Sequence, residues 1–282
     1  MIIVVPVSDS DKDLIEDFVK VFNLFGPYDN HDLVVVSRPG DFHLARQLYR
    51  DITPAKHNFK SVDHYVLDVD GPRGWPQGPN HYWRGTASHL QYERKNTTEP
   101  WLWMEIDMTP IKHGWADELE QEYRVANKPF MGNLSWTTTT TNDQRVIKLC
   151  QHMVGACIHP PNLDLYSKVW VDVDRIGTAW DVLMQWEQFP HSHDTKLMQH
   201  LFRTDNYRIN TDENGLSVIQ GDDTNGFPDG HVFNYPVDVK KTVLVHGCID
   251  GSLARLVYDL ATKGYLTEPH TSHHDASQES AP

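Results

Sequence analysis

The chain has no apolar run approaching the roughly 20 residues of a membrane-spanning helix, and no membrane is expected among its partners. Cysteine is scarce. Cys150, Cys157 and Cys248 are widely spaced and form no CxxC pair, which points to reduced thiols in a cytoplasm and excludes a disulfide framework. The N-terminus, MIIVVPVSDS, carries no basic segment before its apolar run and reads as a strand, not as a signal peptide. Positive charge is also short: 25 Lys and Arg face 39 Asp and Glu, a net charge of −14. That balance argues against holding nucleic acid by bulk electrostatics and leaves room only for a local basic groove. Neither GxGxxG nor the Walker phosphate loop follows the first strand, which argues against a common dehydrogenase or P-loop enzyme.

What is present suits a globular protein. At 282 residues, 39% hydrophobic and 23% charged, the chain can bury the core of one large or two small domains. Nine tryptophans and eleven tyrosines are either core or the lining of a site that stacks on sugars or bases. Residues 2–7 (IIVVPV) are a β-branched strand run. Ser8-Asp9-Ser10-Asp11 follows as a ready helix cap, and Leu14, Ile15, Phe18, Val19, Phe22 and Phe25 give residues 11–25 helical spacing that Gly26-Pro27 ends. Residues 33–36 (LVVV) are a second strand. A β-α-β opening with short links predicts parallel strands, a right-handed crossover and an α/β fold.

The stretch Trp101–Asp107 (WLWMEID) stands out. Its first four residues are large, apolar and too few for a helix, as in a buried strand. Glu105 and Asp107 close it, and alternate residues of an extended segment point to one side. Carboxylates held together at a strand end favour an oxygen-loving cation between them, at the edge where α/β sheets bind ligands. The plainer alternative is an acidic strand end meeting a solvated loop.

Around it the pattern continues. Helices are expected over 42–51, 81–94 and 114–127, and strands over 62–69 and 130–136. The loop Gly74–Asn80 (GWPQGPN), with two glycines and two prolines, is rigid and shaped. It is either a connector or a donor-binding loop, with Asn80 capping the helix that follows. A strand is expected from His152 up to the stop at Pro160-Pro161, a helix from Trp180 to Phe189 with Asp181 in its first turn, and a strand over 242–245 running into His246-Gly247. His191, His193, Asp194, Thr195 and His200 crowd one stretch. Residues 206–225 are polar and turn-rich, as in a surface loop. A last helix is expected to about Lys263. One domain over 1–265 and a polar, disordered tail over 266–282 complete the reading.

Several phrases, in this order, resemble a group of phage and large-virus glycosyltransferases of the GT-A fold: GWPQGPN, LWMEIDMTPIKHGW with FMGN after it, HMVGACIHP, and VHGCIDGSL. The resemblance covers roughly residues 1–260. It implies a mostly parallel central sheet flanked by helices and a hexosyl- or pentosyltransferase drawing on a nucleoside diphosphate sugar, a UDP-sugar first among them. It implies Mn²⁺ or Mg²⁺ held by Glu105, Asp107 and His246, with Glu standing where the family motif starts with Asp. Pro6, Ser8 and Arg38 would face the nucleoside, and Trp75, Asn80 and Glu105 the donor sugar or diphosphate. Phage groups of this kind add sugars to hydroxymethylated pyrimidines of their own DNA, which implies 5-hydroxymethylcytosine in DNA as acceptor and a host cytoplasm as location. Other acceptors (polysaccharide, lipid or protein) and a non-catalytic nucleotide-sugar binding module stay open. Asp181 is the candidate general base, with an ordinary first-turn carboxylate as its alternative. For His246 the alternative is a strand-end histidine bonded to backbone.

Overall fold

The structure is a computed structural model that describes residues 1–52, 59–93, 98–140, 146–161, 179–184, 188–200, 205–212, 215–223, 233–247, 250–264 and 266. The strands of its central sheet are β1 (Ile2–Val7), β2 (Tyr28–Ser37), β3 (Phe59–Val66), β4 (Trp101–Trp103), β6 (Phe130–Thr140), β7 (Val146–His159) and β8 (Ser192–Asp194), in the order β3-β2-β1-β4-β7-β6-β8. All neighbours are parallel except at β7, which runs against both β4 and β6. A β5 (Thr109–Pro110) lies outside this sheet. The helices are α1 (Ile15–Leu24), α2 (Phe42–Asp51), α3 (Gln77–Glu93), α4 (Trp115–Ala126), α5 (Trp180–Leu183) and α6 (Ser252–Thr262).

The sheet is covered on both faces. Ile3, Val5 and Val7 of β1 point into one core with Ile15, Phe22, Leu44, Trp115 and Leu253, so α1, α2, α4 and α6 share that face. Ile2 and Val4 point the other way, onto Trp83, Trp101, Trp103 and Trp180, which brings α3 and α5 to the opposite face. Two buried faces explain why β1 and β2 are continuous apolar runs and do not alternate. Most of the tryptophans are therefore core. The β-α-β crossover is present as expected, with α1 starting later, at Ile15, and β2 earlier, at Tyr28, while α2 has its expected bounds.

Four expectations change. The third strand covers 59–66, not 62–69. α3 begins at Gln77, not after Asn80, because Pro79 falls in the first turn, where a missing N–H costs nothing. Asn80 is thus helical and does not cap α3: its own N–H donates to the Pro76 carbonyl at 3.1 Å. The helix expected over 180–189 is a single turn, Trp180–Leu183, and a 3₁₀ turn holding Pro190 follows at Phe189–His191. Within 206–225 the described residues are strand, where a turn-rich loop was expected. They belong to β10 (Asp205–Asp212) and β11 (Gly215–Asp223), antiparallel to each other and joined by β12 (Phe233–Asp238). The tail beyond Leu266 and Cys248 lie outside the described residues.

A third, small sheet sets His200 and His246 side by side. In it β13 (Leu244–His246) pairs antiparallel with β5 and parallel with β9 (Met198–His200).

The core under β2 supplies a stability test. Tyr28 is 2% exposed; its hydroxyl donates to the Phe22 carbonyl at 2.6 Å and accepts from the Trp115 indole at 3.2 Å. Its ring stacks on Phe22 and Phe59. Tyr28→Phe keeps the rings and strands both polar partners, so it is expected to lower stability in urea unfolding by about 1–3 kcal/mol without altering the site.

Candidate active site

The carboxyl ends of β1, β2 and β4 open into a cleft of about 650 Å³. Pro6, Val7 and Ser8 line it from the end of β1, Arg38 from the end of β2, Gly74, Trp75 and Tyr82 from the GWPQGPN loop and α3, and Glu105 to Asp107 from the end of β4. The wall by β1 is tied down locally. The Ser8 N–H and hydroxyl both donate to Asp11 Oδ2, at 2.7 and 2.8 Å. Arg38 is 4% exposed, and its Nε and Nη2 lie 2.8 and 2.6 Å from Asp41 Oδ2. Tyr82 packs its ring 5.1 Å from the Arg38 guanidinium carbon, and its hydroxyl, with one hydrogen to donate, lies 2.9 Å from Asp41 Oδ2 and 2.5 Å from the Val7 carbonyl. This buried cluster ties together the ends of two strands and α3.

Glu105 and Asp107 meet at the cleft floor, though not through strand alternation. β4 stops at Trp103, and the chain turns, with the Met108 N–H donating to the Glu105 carbonyl at 3.0 Å. The reason is Ile106, which goes into the core at 4% exposure and so throws both neighbouring carboxylates to the cleft side. Trp103 Nε1 holds Glu105 Oε1 at 3.0 Å. From the small sheet, His246 places Nε2 3.1 Å from Glu105 Oε2 and 3.4 Å from Asp107 Oδ1. Gly247, at φ 109°, takes a conformation that suits glycine and carries the chain away at once.

One ligand atom from each of Glu105, Asp107 and His246 lies within 4.8 Å of the others. Asp107 Oδ1 is buried without a hydrogen-bond partner, an arrangement that disfavours the fold unless something positive meets it. The histidine supplies that now: burial pulls its pKa down, but the charges of Asp107 and Glu105 and the hydrogen bond to Glu105 hold it well above the ordinary value. Two carboxylates and one imidazole also fit Mn²⁺ or Mg²⁺. These residues therefore fit a divalent cation.

Asp181 stands beside this floor. The Gly155 N–H donates to its Oδ2 at 3.2 Å and the Val182 N–H to its Oδ1 at 2.9 Å. A Cβ on Gly155 would lie 3.7 Å from both Asp181 Oδ2 and Glu105 Oε1, so a glycine on β7 leaves the two carboxylates facing across an open step. Burial raises the Asp181 pKa to about 6 against the bond from Val182, and the charge of Glu105 adds to the rise.

No protein-family model and no curated protein matches the chain. Solved structures do. The apo structure of the bifunctional glycosyltransferase WbbM superposes with a TM-score of 0.51 at 10% identity, over 87% of this chain and 45% of that one. The likeness is one of fold, the GT-A fold, and rests on that structure. Mouse xyloside xylosyltransferase 1 (TM-score 0.44, 11% identity, 71% of this chain and 87% of that one) and residues 1–349 of S. aureus TarS (TM-score 0.40, 12% identity, 67% and 55%) also match, too distantly to add to this. The chain spans under half the length of WbbM.

On this GT-A frame the structure brings Pro6, Ser8, Arg38, Trp75, Glu105 and Asp107 into one cleft, with His246 on its floor and Asp181 alongside. Asn80 lies apart from the cleft wall. It is 2% exposed and its Oδ1 accepts the Trp180 N–H at 2.7 Å, while Trp83 stacks on Trp180 at 4.5 Å. Its role here is to seat the turn that carries Asp181. His193 goes elsewhere, to Glu122 at 2.8 Å. Three residues went unread in the sequence. Asp11 lines the cleft, and burial, together with Glu105 and Asp107, raises it to about 6 despite its bonds from Ser8. Arg73 reaches Asp9 at 2.5 Å. His200 lies 2.8 Å from His246. The acids of the SDSD turn were the one visible signal for the first of these. No local pattern marks Arg73, and His200 stood out only as one of a crowd of histidines, with no role attached. Among the described residues, no helix is long and apolar enough to cross a membrane.

Proposed function

We propose that the chain transfers a sugar from a nucleoside diphosphate sugar to an acceptor hydroxyl, with Mn²⁺ or Mg²⁺ at Glu105, Asp107 and His246. The observation that carries this is the convergence of those three ligand atoms on the floor of a cleft at the strand ends of a GT-A fold. When bound, the cation offsets the charge that builds on the departing diphosphate. Trp103 fixes the Glu105 carboxylate, and the buried Arg38–Asp41–Tyr82 cluster holds Pro6 and Ser8 as the wall against the nucleoside. Trp75, 74% exposed at the rim, offers a ring face to a sugar. In the inverting course the sugar C1–O bond to the diphosphate breaks as the bond to the acceptor oxygen forms, and Asp181 takes the acceptor's proton.

The finer assignments belong to the same proposal: a UDP-sugar donor, a hexosyl or pentosyl group, a cytoplasmic setting, and a hydroxymethyl group on a pyrimidine of DNA as acceptor, the last resting on the sequence resemblance. The cleft lining supports a second reading of the acceptor. Asp9, Asp11, Glu105 and Asp107 line it, and both lining arginines are engaged by carboxylates, which suits a carbohydrate or other uncharged hydroxyl better than a polyanion.

The test is nucleotide release from UDP-, GDP- and other activated sugars with Mn²⁺, Mg²⁺ or EDTA, with and without DNA containing hydroxymethylcytosine. Release is expected to require the metal. Stimulation by that DNA supports the first acceptor, and indifference to it supports the second. No release from any donor under any metal overturns the transferase reading in favour of a binding module.

A further inference from the structure

Resting on that metal reading, we infer that His200 is a positioning residue that fixes the orientation and tautomer of His246 for the cation. β9 and β13 run parallel with His200 in register opposite His246, each the last residue of its strand. Their rings lie 4.6 Å apart at 50°, and Nδ1 of one is 2.8 Å from Nδ1 of the other. A contact of that length between two imidazole nitrogens holds one hydrogen between them, donated by one ring and accepted by the other.

The direction of this hydrogen bond decides what His246 can do with its far nitrogen. Nε2 faces Glu105 and Asp107. To ligate a cation it must present a lone pair there, which in a neutral imidazole requires the hydrogen on Nδ1. His246 then donates from Nδ1 to the lone pair on His200 Nδ1, and His200 carries its own hydrogen on Nε2. In the opposite arrangement His200 donates, His246 accepts at Nδ1, and an N–H at Nε2 points at the carboxylates, where it blocks coordination. A ligating histidine generally hands its other N–H to a fixed acceptor, and loss of that acceptor costs about 10–100-fold in metal affinity. Here the acceptor is a second histidine, set in place by strand register.

The experiment is calorimetric titration of the metal-free protein with Mn²⁺, comparing the parent with His200→Ala, His200→Gln and His246→Ala, each checked for a parent-like circular dichroism spectrum and melt. His200→Ala is expected to weaken Mn²⁺ binding by about 10–100-fold, and His200→Gln, whose amide oxygen can accept from Nδ1, to recover part of that loss. His200→Ala binding as tightly as the parent, while His246→Ala does not, overturns the role of His200 and leaves the metal site standing. A parent that binds no Mn²⁺ overturns both. Should the His200 variants fail to fold, nitrogen-15 NMR of the histidine rings of the Zn²⁺-loaded parent decides the matter instead. A proton on His246 Nδ1 is expected, and a proton on Nε2 overturns the inference.

Discussion

Asp107→Asn is expected to cut sugar transfer by about 10²–10³-fold while leaving the metal-free protein as stable as the parent or slightly more so. The two halves of this result have one cause. Asp107 Oδ1 is buried with no hydrogen-bond partner, and its carboxylate sits beside that of Glu105. Removing its charge gives up the contact with His246 Nε2 at 3.4 Å but relieves a like-charge pair, and His246 keeps Glu105 as a partner at 3.1 Å, so the two effects offset each other. What the variant loses is the cation. Saturating Mn²⁺ stabilises a protein that binds it by about 2.7 kcal/mol at a hundred times Kd, so melts with and without Mn²⁺ should separate for the parent and coincide for the variant. Nucleotide release and the pair of melts check this together. Release lost along with fold stability in EDTA would make Asp107 a structural residue. Release retained at the parent rate would remove the cation from this site.

The strong elements and the acid pair were legible because each is a local statement. Ile2–Val7 and the helix after it are stated in consecutive side chains, and so is the run from Trp101 into Glu105 and Asp107. How the two acids come together was not legible. Strand alternation and a turn around a buried Ile106 put the same residues on the same side, and only the contact of Ile106 with the core separates the two. The stretch 206–225 was misread for a related reason. Its asparagines and aspartates resemble turn residues, yet β10 and β11 pair with each other inside the stretch, and the third strand that joins them, β12, lies further along the chain. His200 is the extreme case. Its meaning depends on a three-residue strand pairing with another 46 positions away, and no window of sequence holds both. The half-buried acids Asp11 and Asp181 were visible as cap and first-turn carboxylates. Their shifted titration comes from burial near Glu105, which is a property of the assembled site.

Asp181→Asn is expected to lower the rate of transfer by about 10²–10⁴-fold, the usual contribution of a positioned general base, and to erase a pH dependence that the parent shows. Burial lifts the Asp181 carboxyl from 3.8 to about 6. As a base it works deprotonated, so the parent's rate should climb with pH as Asp181 ionises, read at saturating Mn²⁺ so that the proton His246 must lose to bind the cation does not set the profile. A cation at Glu105 offsets one of the charges behind the Asp181 shift, so the midpoint there should lie below about 6. Stability runs in the opposite direction. A carboxyl with a higher pKa folded than unfolded is protonated preferentially in the folded chain; its favourable contribution is complete below about pH 4 and is lost as pH rises through about 6. At neutral pH the ionised group is therefore a cost, at most about 3 kcal/mol for a shift of this size. The asparagine forfeits a bond from Gly155 or Val182 at every pH, so the pH-dependent part of the difference is what reports the titration. Melts of parent and variant between pH 5 and 7.5 should diverge in the variant's favour as pH rises. A variant that keeps the parent's pH profile, with a rate within tenfold, would take Asp181 out of proton transfer and leave it as the carboxylate that starts a single helical turn.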